Sequence, residues 1–200
     1  ISINNLQDHL GKSKAPLFTF IETMATHWPY NVPFFPDEKV PGGGEGVDDE
    51  MNEFLRRLWL SKTDLEDMRA QLGKRFPGER FLIVHYGDHH PVATRQLLGF
   101  APNLESEDVD LPPDSPGFIT YFAMLGVNYT PPPLPLIDPI DVAYLPALII
   151  YAAGLPLPDS DVERLRLMKL CDGRYYDCPA REEILGFHQR LIAAGMLNPR

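Results

Sequence analysis

The chain has 200 residues, enough for one domain with a substantial hydrophobic core. Eighteen Lys and Arg against 28 Asp and Glu give a formal net charge of −10, which argues against a general nucleic-acid surface, because clustered basic side chains bind phosphate backbones. The 44% hydrophobic and 23% charged content is that of a globular protein and excludes wholesale disorder. The 21 prolines are about twice the usual share and cluster, which predicts long ordered loops.

The first half of the chain predicts a strand, a long helix and a second strand. Residues 16–23, PLFTFIET, are apolar and β-branched, which predicts a buried strand. From Asp48 to Leu72, apolar residues recur at three-, four- and seven-residue steps, so we expect an amphipathic helix. Residues 80–86, RFLIVHY, predict a second buried strand. This order is typical of a βαβ unit, in which the two strands are parallel.

The second half predicts a third strand and three helices. Residues 118–124 are the strand candidate, and residues 138–153 predict an apolar helix with a kink at Pro146. Residues 159–170 begin with a capping-box pattern, and residues 180–194 predict the last helix. Together these elements predict an α/β fold with a mostly parallel central sheet flanked by helices.

The two cysteines, Cys171 and Cys178, are separated by six residues that include Asp172 and Gly173. This spacing suits a closed turn, so a disulfide would form in an oxidising compartment. Two free thiols are the alternative. A metal site made of cysteine alone is disfavoured, because the chain has no further cysteine to complete it.

Polar clusters follow both predicted strands of the first half, and in open α/β sheets ligands bind beyond the carboxyl ends of the strands. In YGDHHP, the Asp88 carboxylate and the His89 imidazole are adjacent at a turn that Gly87 permits. An oxygen and a nitrogen ligand suit zinc or manganese, whereas magnesium and calcium prefer shells made of oxygen alone. The alternative is a local hydrogen-bonded turn without an ion.

The other cluster, ETMATHWPY, places His27 on a loop with two large aromatic residues, where it would bind a substrate oxygen or donate a proton. A loop histidine satisfied by backbone groups is the alternative. His90 would contact substrate or shuttle a proton, or else face solvent. Trp28, Tyr30 and Phe34 would form an apolar wall for a substrate, or simply pack within the loop.

These motifs resemble the sulfatase-like branch of the alkaline phosphatase superfamily, in particular membrane-anchored phosphoethanolamine and phosphoglycerol transferases, including lipoteichoic acid synthase-like proteins. The resemblance runs through FTFIETMATHWPY, NEFLRRLWLSKTDLEDMRAQL and FLIVHYGDHHP, and more loosely through DVAYLPALIIYAAGLP. It covers most of the chain. It implies an alkaline phosphatase-like fold in which residues 1–200 are the C-terminal part of a sulfatase-like catalytic domain.

The resemblance also implies roles for single residues. Asp88 and His89 match the family's Asp-His metal ligands, and His27 matches the histidine of its Thr-His-x-Pro motif, which contacts the transferred phosphate-bearing group. The family's nucleophile and remaining metal ligands lie before the matching part, so no residue of this chain is assigned to them. The run HPVATRQLLGF departs from the Gly-Glu pair and further histidine that such transferases often carry.

Three functions follow as hypotheses. The first is part of a metal-dependent phosphoryl-group transferase, whose partner is a phosphate- or sulfate-bearing small molecule, lipid or glycan. The others are a soluble sulfatase or phosphodiesterase, and a non-catalytic α/β binding domain. The chain lacks an initiating methionine, so we expect it to begin inside a longer protein, whose membrane anchor would lie upstream. The site would then face the periplasm or the cell exterior.

Overall fold

The computed structural model describes residues 4, 6, 10, 15–37, 48–91, 94, 98, 115–135 and 137–198. Its helices and strands are, in chain order, α1 (Asp49–Arg75), β1 (Phe81–Tyr86), β2 (Phe122–Val127), α2 (Leu145–Ala152), α3 (Asp159–Leu170) and α4 (Arg181–Ala193). Short 3-10 helices occur at Pro116–Phe118 and Val142–Tyr144. The backbone divides into a first unit, Ile1–Glu79 with Gly87–Thr120, and a second unit, Arg80–Tyr86 with Tyr121–Arg200.

The long helix α1 confirms the amphipathic helix that the spacing of apolar residues predicts from Asp48 to Leu72. Asp48 caps it, because its Oδ1 accepts the backbone N–H of Met51 at 2.8 Å. Acidic residues occupy the first turn and basic residues the last, as the helix dipole favours. Its buried residues include Met51 and Leu72, together with two charged residues, Glu53 and Arg57.

The strand predicted over residues 16–23 does not form. The segment has no regular secondary structure, and among the described residues no strand pairs with it. Its apolar side chains are exposed, Phe18 by 85%. An apolar, β-branched run has strand propensity, yet a strand forms only where a neighbour accepts its backbone hydrogen bonds. The prediction of a buried strand here, and of the βαβ unit that includes it, is therefore wrong for this structure.

Within the described residues, the sheet consists of two antiparallel strands, with Phe81 opposite Val127 and Tyr86 opposite Phe122. A parallel pair needs a crossover, usually an α-helix, and no α-helix is described between β1 and β2. The second strand also begins four residues after the predicted start at 118. The structure is thus a mixture of helices and strands, as expected, but the part of the chain that is described contains no parallel central sheet.

Helices α2, α3 and α4 enclose the core of the second unit. This core consists of Tyr144, Leu148, Leu167, Met168, Cys171, Cys178, Ile184, Phe187 and Leu191. Pro146 lies in the first turn of α2, where its missing N–H is harmless, so it causes no kink. No side chain caps α3, so its capping box is not formed. The predicted α4 is confirmed to within one residue at each end. No described helix is long and apolar enough to cross a bilayer.

A disulfide joins Cys171 to Cys178 and decides between the two alternatives for these cysteines. The loop that it closes contacts Asp141, whose Oδ2 accepts the backbone N–H groups of Tyr175 and Tyr176. In return, the Asp141 N–H donates to the Gly173 carbonyl at 2.8 Å. The disulfide loop is therefore fastened directly to the turn that leads into α2.

Candidate functional site

The Asp88–His89 turn follows β1 along the chain. Asp88 Oδ1 accepts the backbone N–H of His89 at 2.9 Å, which fixes the carboxylate above its own turn. The other oxygen, Oδ2, lies 3.5 Å from His89 Nε2. Both side chains are largely exposed, 79% for Asp88 and 71% for His89. The two predicted metal ligands therefore converge on one point that solvent and ions can reach.

The hydrogen bonds of His89 fix which ring nitrogen can bind a metal. Nδ1 lies 3.1 Å from the His90 carbonyl oxygen. A carbonyl oxygen only accepts hydrogen bonds, so Nδ1 carries the proton and Nε2 keeps its lone pair in the neutral ring. Metal-binding histidines in proteins commonly use this arrangement, in which the other ring nitrogen donates to a backbone carbonyl. His89 Nε2 and Asp88 Oδ2 are then two electron-pair donors 3.5 Å apart.

Two hydrogen bonds anchor this turn to residues 119–120. His90 Nε2 donates to the Ile119 carbonyl at 2.5 Å, and the Thr120 hydroxyl donates to the Gly87 carbonyl at 2.7 Å. His90, which the sequence predicts as a substrate ligand, thus uses one ring nitrogen to hold the turn. Its Nδ1 is the nitrogen that remains for the predicted contact with substrate.

The other predicted residue, His27, lies in a loop that we call the histidine loop, residues 24–35. The His27 backbone N–H donates to the Met24 carbonyl at 3.1 Å, and its ring Nδ1 lies 2.5 Å from the Trp28 carbonyl. By the same reasoning as for His89, Nδ1 carries the proton and Nε2 keeps the lone pair. The side chain is exposed, so Nε2 is open to a ligand.

Arg57 organises the histidine loop from the buried face of α1. Its side chain is 1% exposed, and its Nη2 donates to the Val32 carbonyl at 2.7 Å. Its Nη1 donates to the His27 carbonyl at 3.0 Å, with a longer contact of 3.5 Å to the Ala25 carbonyl. Sequence reasoning missed Arg57. Its spacing of four residues from Glu53 in NEFLRRL is also that of an exposed helix pair, so this signal alone does not single it out.

Glu53 neutralises Arg57 and holds the far end of the loop. Its Oε1 accepts from Arg57 Nε at 2.7 Å and from the Phe34 backbone N–H at 3.0 Å, while Oε2 accepts from Arg56 Nε at 2.8 Å. Burial opposes ionisation of this carboxyl, but the hydrogen bonds from Arg56 and Arg57 outweigh it and hold the pKa of Glu53 below its ordinary value. Glu53 is therefore the ionised partner of a buried ion pair.

The three aromatic residues predicted as a substrate wall have different environments. Tyr30 is 3% exposed and donates its hydroxyl to the Thr26 carbonyl at 2.9 Å. The Phe34 ring lies 3.9 Å from the Arg57 guanidinium. These two side chains therefore stabilise the loop itself. Phe34 is still 41% exposed and Trp28 is 57% exposed, and Trp28 is the one that directly follows His27 in the chain.

Asp88 and His89 are thus brought together, whereas His27 shares their compact unit without a hydrogen bond or ion pair to either among the described residues. In the same residues, no group of three His, Cys, Asp or Glu side chains is placed to hold a metal ion. The described structure therefore offers a pair of ligands, not a closed site. No protein-family model, curated protein or solved structure matches the chain.

Proposed function

We propose that Asp88 and His89 are two ligands of a divalent metal ion in a phosphoryl-group transferase of the sulfatase-like branch of the alkaline phosphatase superfamily. The observation that carries the proposal is the pairing of Asp88 Oδ2 with the lone pair of His89 Nε2, 3.5 Å apart and open to solvent. In this proposal the chain is the C-terminal part of the catalytic domain, with an alkaline phosphatase-like parallel sheet in the whole domain.

The two side chains fit zinc or manganese by the chemistry of their donors. One oxygen and one imidazole nitrogen form a mixed set, whereas magnesium and calcium favour oxygen alone. Zinc–ligand bonds are about 2.0–2.2 Å long, so two donor atoms 3.5 Å apart can both reach one ion. The ion would neutralise charge on the phosphoryl oxygens and acidify the attacking group. Other ligands and the nucleophile are not assigned to residues of this chain.

His27 would bind the group that is transferred. The side chain is exposed and among the described residues its Nε2 has no hydrogen-bond partner, so the protonated ring would donate a hydrogen bond to an anionic oxygen of a phosphate. The exposed Trp28 ring beside it would pack on a sugar ring or a lipid glycerol of the substrate. A phosphate-bearing lipid or glycan is accordingly the proposed substrate class, with transfer through a covalent phospho-enzyme.

The proposed location is the periplasm or the exterior face of the cytoplasmic membrane, with a membrane anchor in the parent protein. The Cys171–Cys178 disulfide supports this location, because such bonds persist in oxidising compartments and are rare in the cytosol.

The proposed ligand pair, Asp88 and His89, is tested by calorimetric titration of the protein with Zn²⁺ and with Mn²⁺ at neutral pH. We expect binding to the wild-type chain, and Asp88→Asn and His89→Gln should each weaken it about tenfold or more, since each removes one ligand. Asp177→Asn, an exposed aspartate of the second unit, is the matched control and should bind as wild type. Equal affinity in the wild type and both ligand variants would contradict the proposal.

The substrate group is tested by titrating the metal-loaded protein with inorganic phosphate and, separately, with sulfate. We expect phosphate to bind and His27→Gln to abolish its binding while leaving Zn²⁺ affinity unchanged. Stronger binding of sulfate than of phosphate would overturn the transferase assignment in favour of the sulfatase. Failure of both anions to bind would remove the proposed role of His27.

A further inference from the structure

We propose that Arg57, fixed by Glu53, is the positioning residue that holds the histidine loop and sets the direction in which His27 Nε2 points. That the loop serves a phosphate-binding site rests on the proposed function above. We call the contacts of Arg57 and Glu53 with the histidine loop the clamp. The evidence for the clamp comes only from these contacts within the first unit.

The charge of the buried Arg57 guanidinium is compensated by its ion pair with Glu53 and by its hydrogen bonds to the carbonyls of the histidine loop. A buried guanidinium destabilises the fold unless it is paired and its N–H groups are hydrogen-bonded. The ion pair with Glu53 uses Nε, which leaves the two terminal nitrogens for the loop. These nitrogens donate to the carbonyls of His27 and Val32, at 3.0 and 2.7 Å. A loop path that moved these carbonyls away would leave the two terminal nitrogens without these acceptors, which favours the observed path.

The clamp orients the His27 ring indirectly, through the backbone of the histidine loop. Arg57 fixes the carbonyl of His27, and the ring Nδ1 is hydrogen-bonded to the carbonyl of the next residue, Trp28. Glu53 fixes the other end of the loop through the Phe34 N–H. With both the peptide and the ring oriented, Nε2 points outward without a conformational search when a ligand arrives. Preorganisation of this kind is what holds catalytic groups in register.

The geometry requires arginine and not merely a positive charge. The guanidinium donates in two directions at once, and its face lies 3.9 Å from the Phe34 ring centroid and 5.2 Å from that of Tyr30. A lysine ammonium would keep the charge but would lose the planar fork and the stacking contacts. Arg57→Lys is therefore the informative variant, because it alters the fork while keeping a long cationic side chain on α1.

The test is amide hydrogen exchange measured by NMR, with the His27 N–H as the probe, since that N–H is bonded to the Met24 carbonyl. We expect Arg57→Lys to accelerate exchange of the His27 amide about tenfold or more, while amides in the middle of α1 exchange as in wild type. Arg69→Lys, the same change at an exposed position of α1, is the matched control and should leave both rates unchanged.

Two outcomes overturn the proposal. One is unchanged exchange at His27 in Arg57→Lys, and the other is an acceleration that spreads equally over α1, which would make Arg57 a general stabiliser of the unit. Arg57→Lys retains the positive charge beside Glu53, so this test does not depend on a variant that removes the buried charge and could fail to fold.

Phosphate titration of the same metal-loaded variant links the clamp to function. We expect Arg57→Lys to weaken phosphate binding and to leave Zn²⁺ affinity unchanged, since among the described residues no hydrogen bond or ion pair joins Arg57 to Asp88 or His89. Faster His27 exchange with unaltered phosphate affinity would overturn the positioning role. If the wild type binds no phosphate, the proposed function fails, whereas the exchange result still decides whether the clamp exists.

Discussion

The disulfide should supply a large part of the stability of the second unit, and the double variant Cys171→Ala/Cys178→Ala measures it. The cysteines are seven positions apart, so the bond closes a loop of eight residues. Closing such a loop in the unfolded chain removes about 8 cal/mol/K of entropy, which corresponds to about 2.4 kcal/mol at 25 °C. In the folded protein the loop stays near its position with or without the disulfide. The entropy that the disulfide removes is therefore lost mainly by the unfolded state.

A second contribution comes from what the loop holds in place. Both cysteines are buried, at 0% and 7% exposure, and the N–H groups of Tyr175 and Tyr176 bind Asp141 beside them. Loosening the loop weakens these charge-assisted bonds, which we expect to add about 1 kcal/mol. The double variant should therefore lose about 3 kcal/mol in its free energy of unfolding.

Urea unfolding followed by circular dichroism is the assay, with the reduced wild-type protein as the control that introduces no substitution. Asp141→Asn in both backgrounds then forms a double-mutant cycle. We expect this substitution to cost less in the cysteine-free background, because the loop no longer delivers the two N–H groups to it. A loss below about 1 kcal/mol in both the double variant and the reduced protein would refute the reasoning.

Two further predictions concern buried polar groups. Among the described residues the Tyr144 hydroxyl has no hydrogen-bond partner, and burial, with smaller effects of Asp141 and Tyr175, raises the pKa of Tyr144 to about 12. Tyr144→Phe should therefore raise the free energy of unfolding by about 1 kcal/mol in a urea titration, and a decrease would contradict the prediction. Because the pKa of Glu53 is lower in the folded state, ionised Glu53 stabilises the fold at any pH above about 4.3, the ordinary pKa of a glutamate side chain. This stabilisation is lost as the pH falls through the lower pKa of the folded state. Glu53→Gln should accordingly be less stable than wild type at pH 7, and this difference should shrink as the pH falls through the lowered pKa of Glu53; a difference that does not depend on pH would speak against the ion pair.

Elements fixed by local interactions could be predicted from the sequence, and those fixed by distant partners could not. The α1 helix has its cap, its apolar period and its charges within its own residues, so its start was correct. Residues 16–23 have the composition of a strand, but a strand depends on another segment for its hydrogen bonds. Composition cannot show whether that segment is present, and in the described residues none pairs with it.

The candidate site divides in the same way. Asp88 and His89 are adjacent in sequence, so their convergence needed only a tight turn, and the structure shows them side by side. Arg57 finds its acceptors 25 and 30 residues earlier in the chain, at Val32 and His27. Because those acceptors are backbone carbonyls, which every residue has, no sequence pattern could have indicated which of them Arg57 would bind.

The two histidines of the proposed site use one hydrogen-bond pattern for opposite purposes. In both His27 and His89, Nδ1 donates to the carbonyl of the following residue and Nε2 points away from it. At His89 the free lone pair, beside the Asp88 carboxylate, favours a cation. At His27 an anionic oxygen is bound only when Nε2 also carries a proton, because a lone pair repels it. A metal at His89 therefore needs a neutral ring with a free lone pair on Nε2, whereas a phosphate at His27 needs a proton on both ring nitrogens.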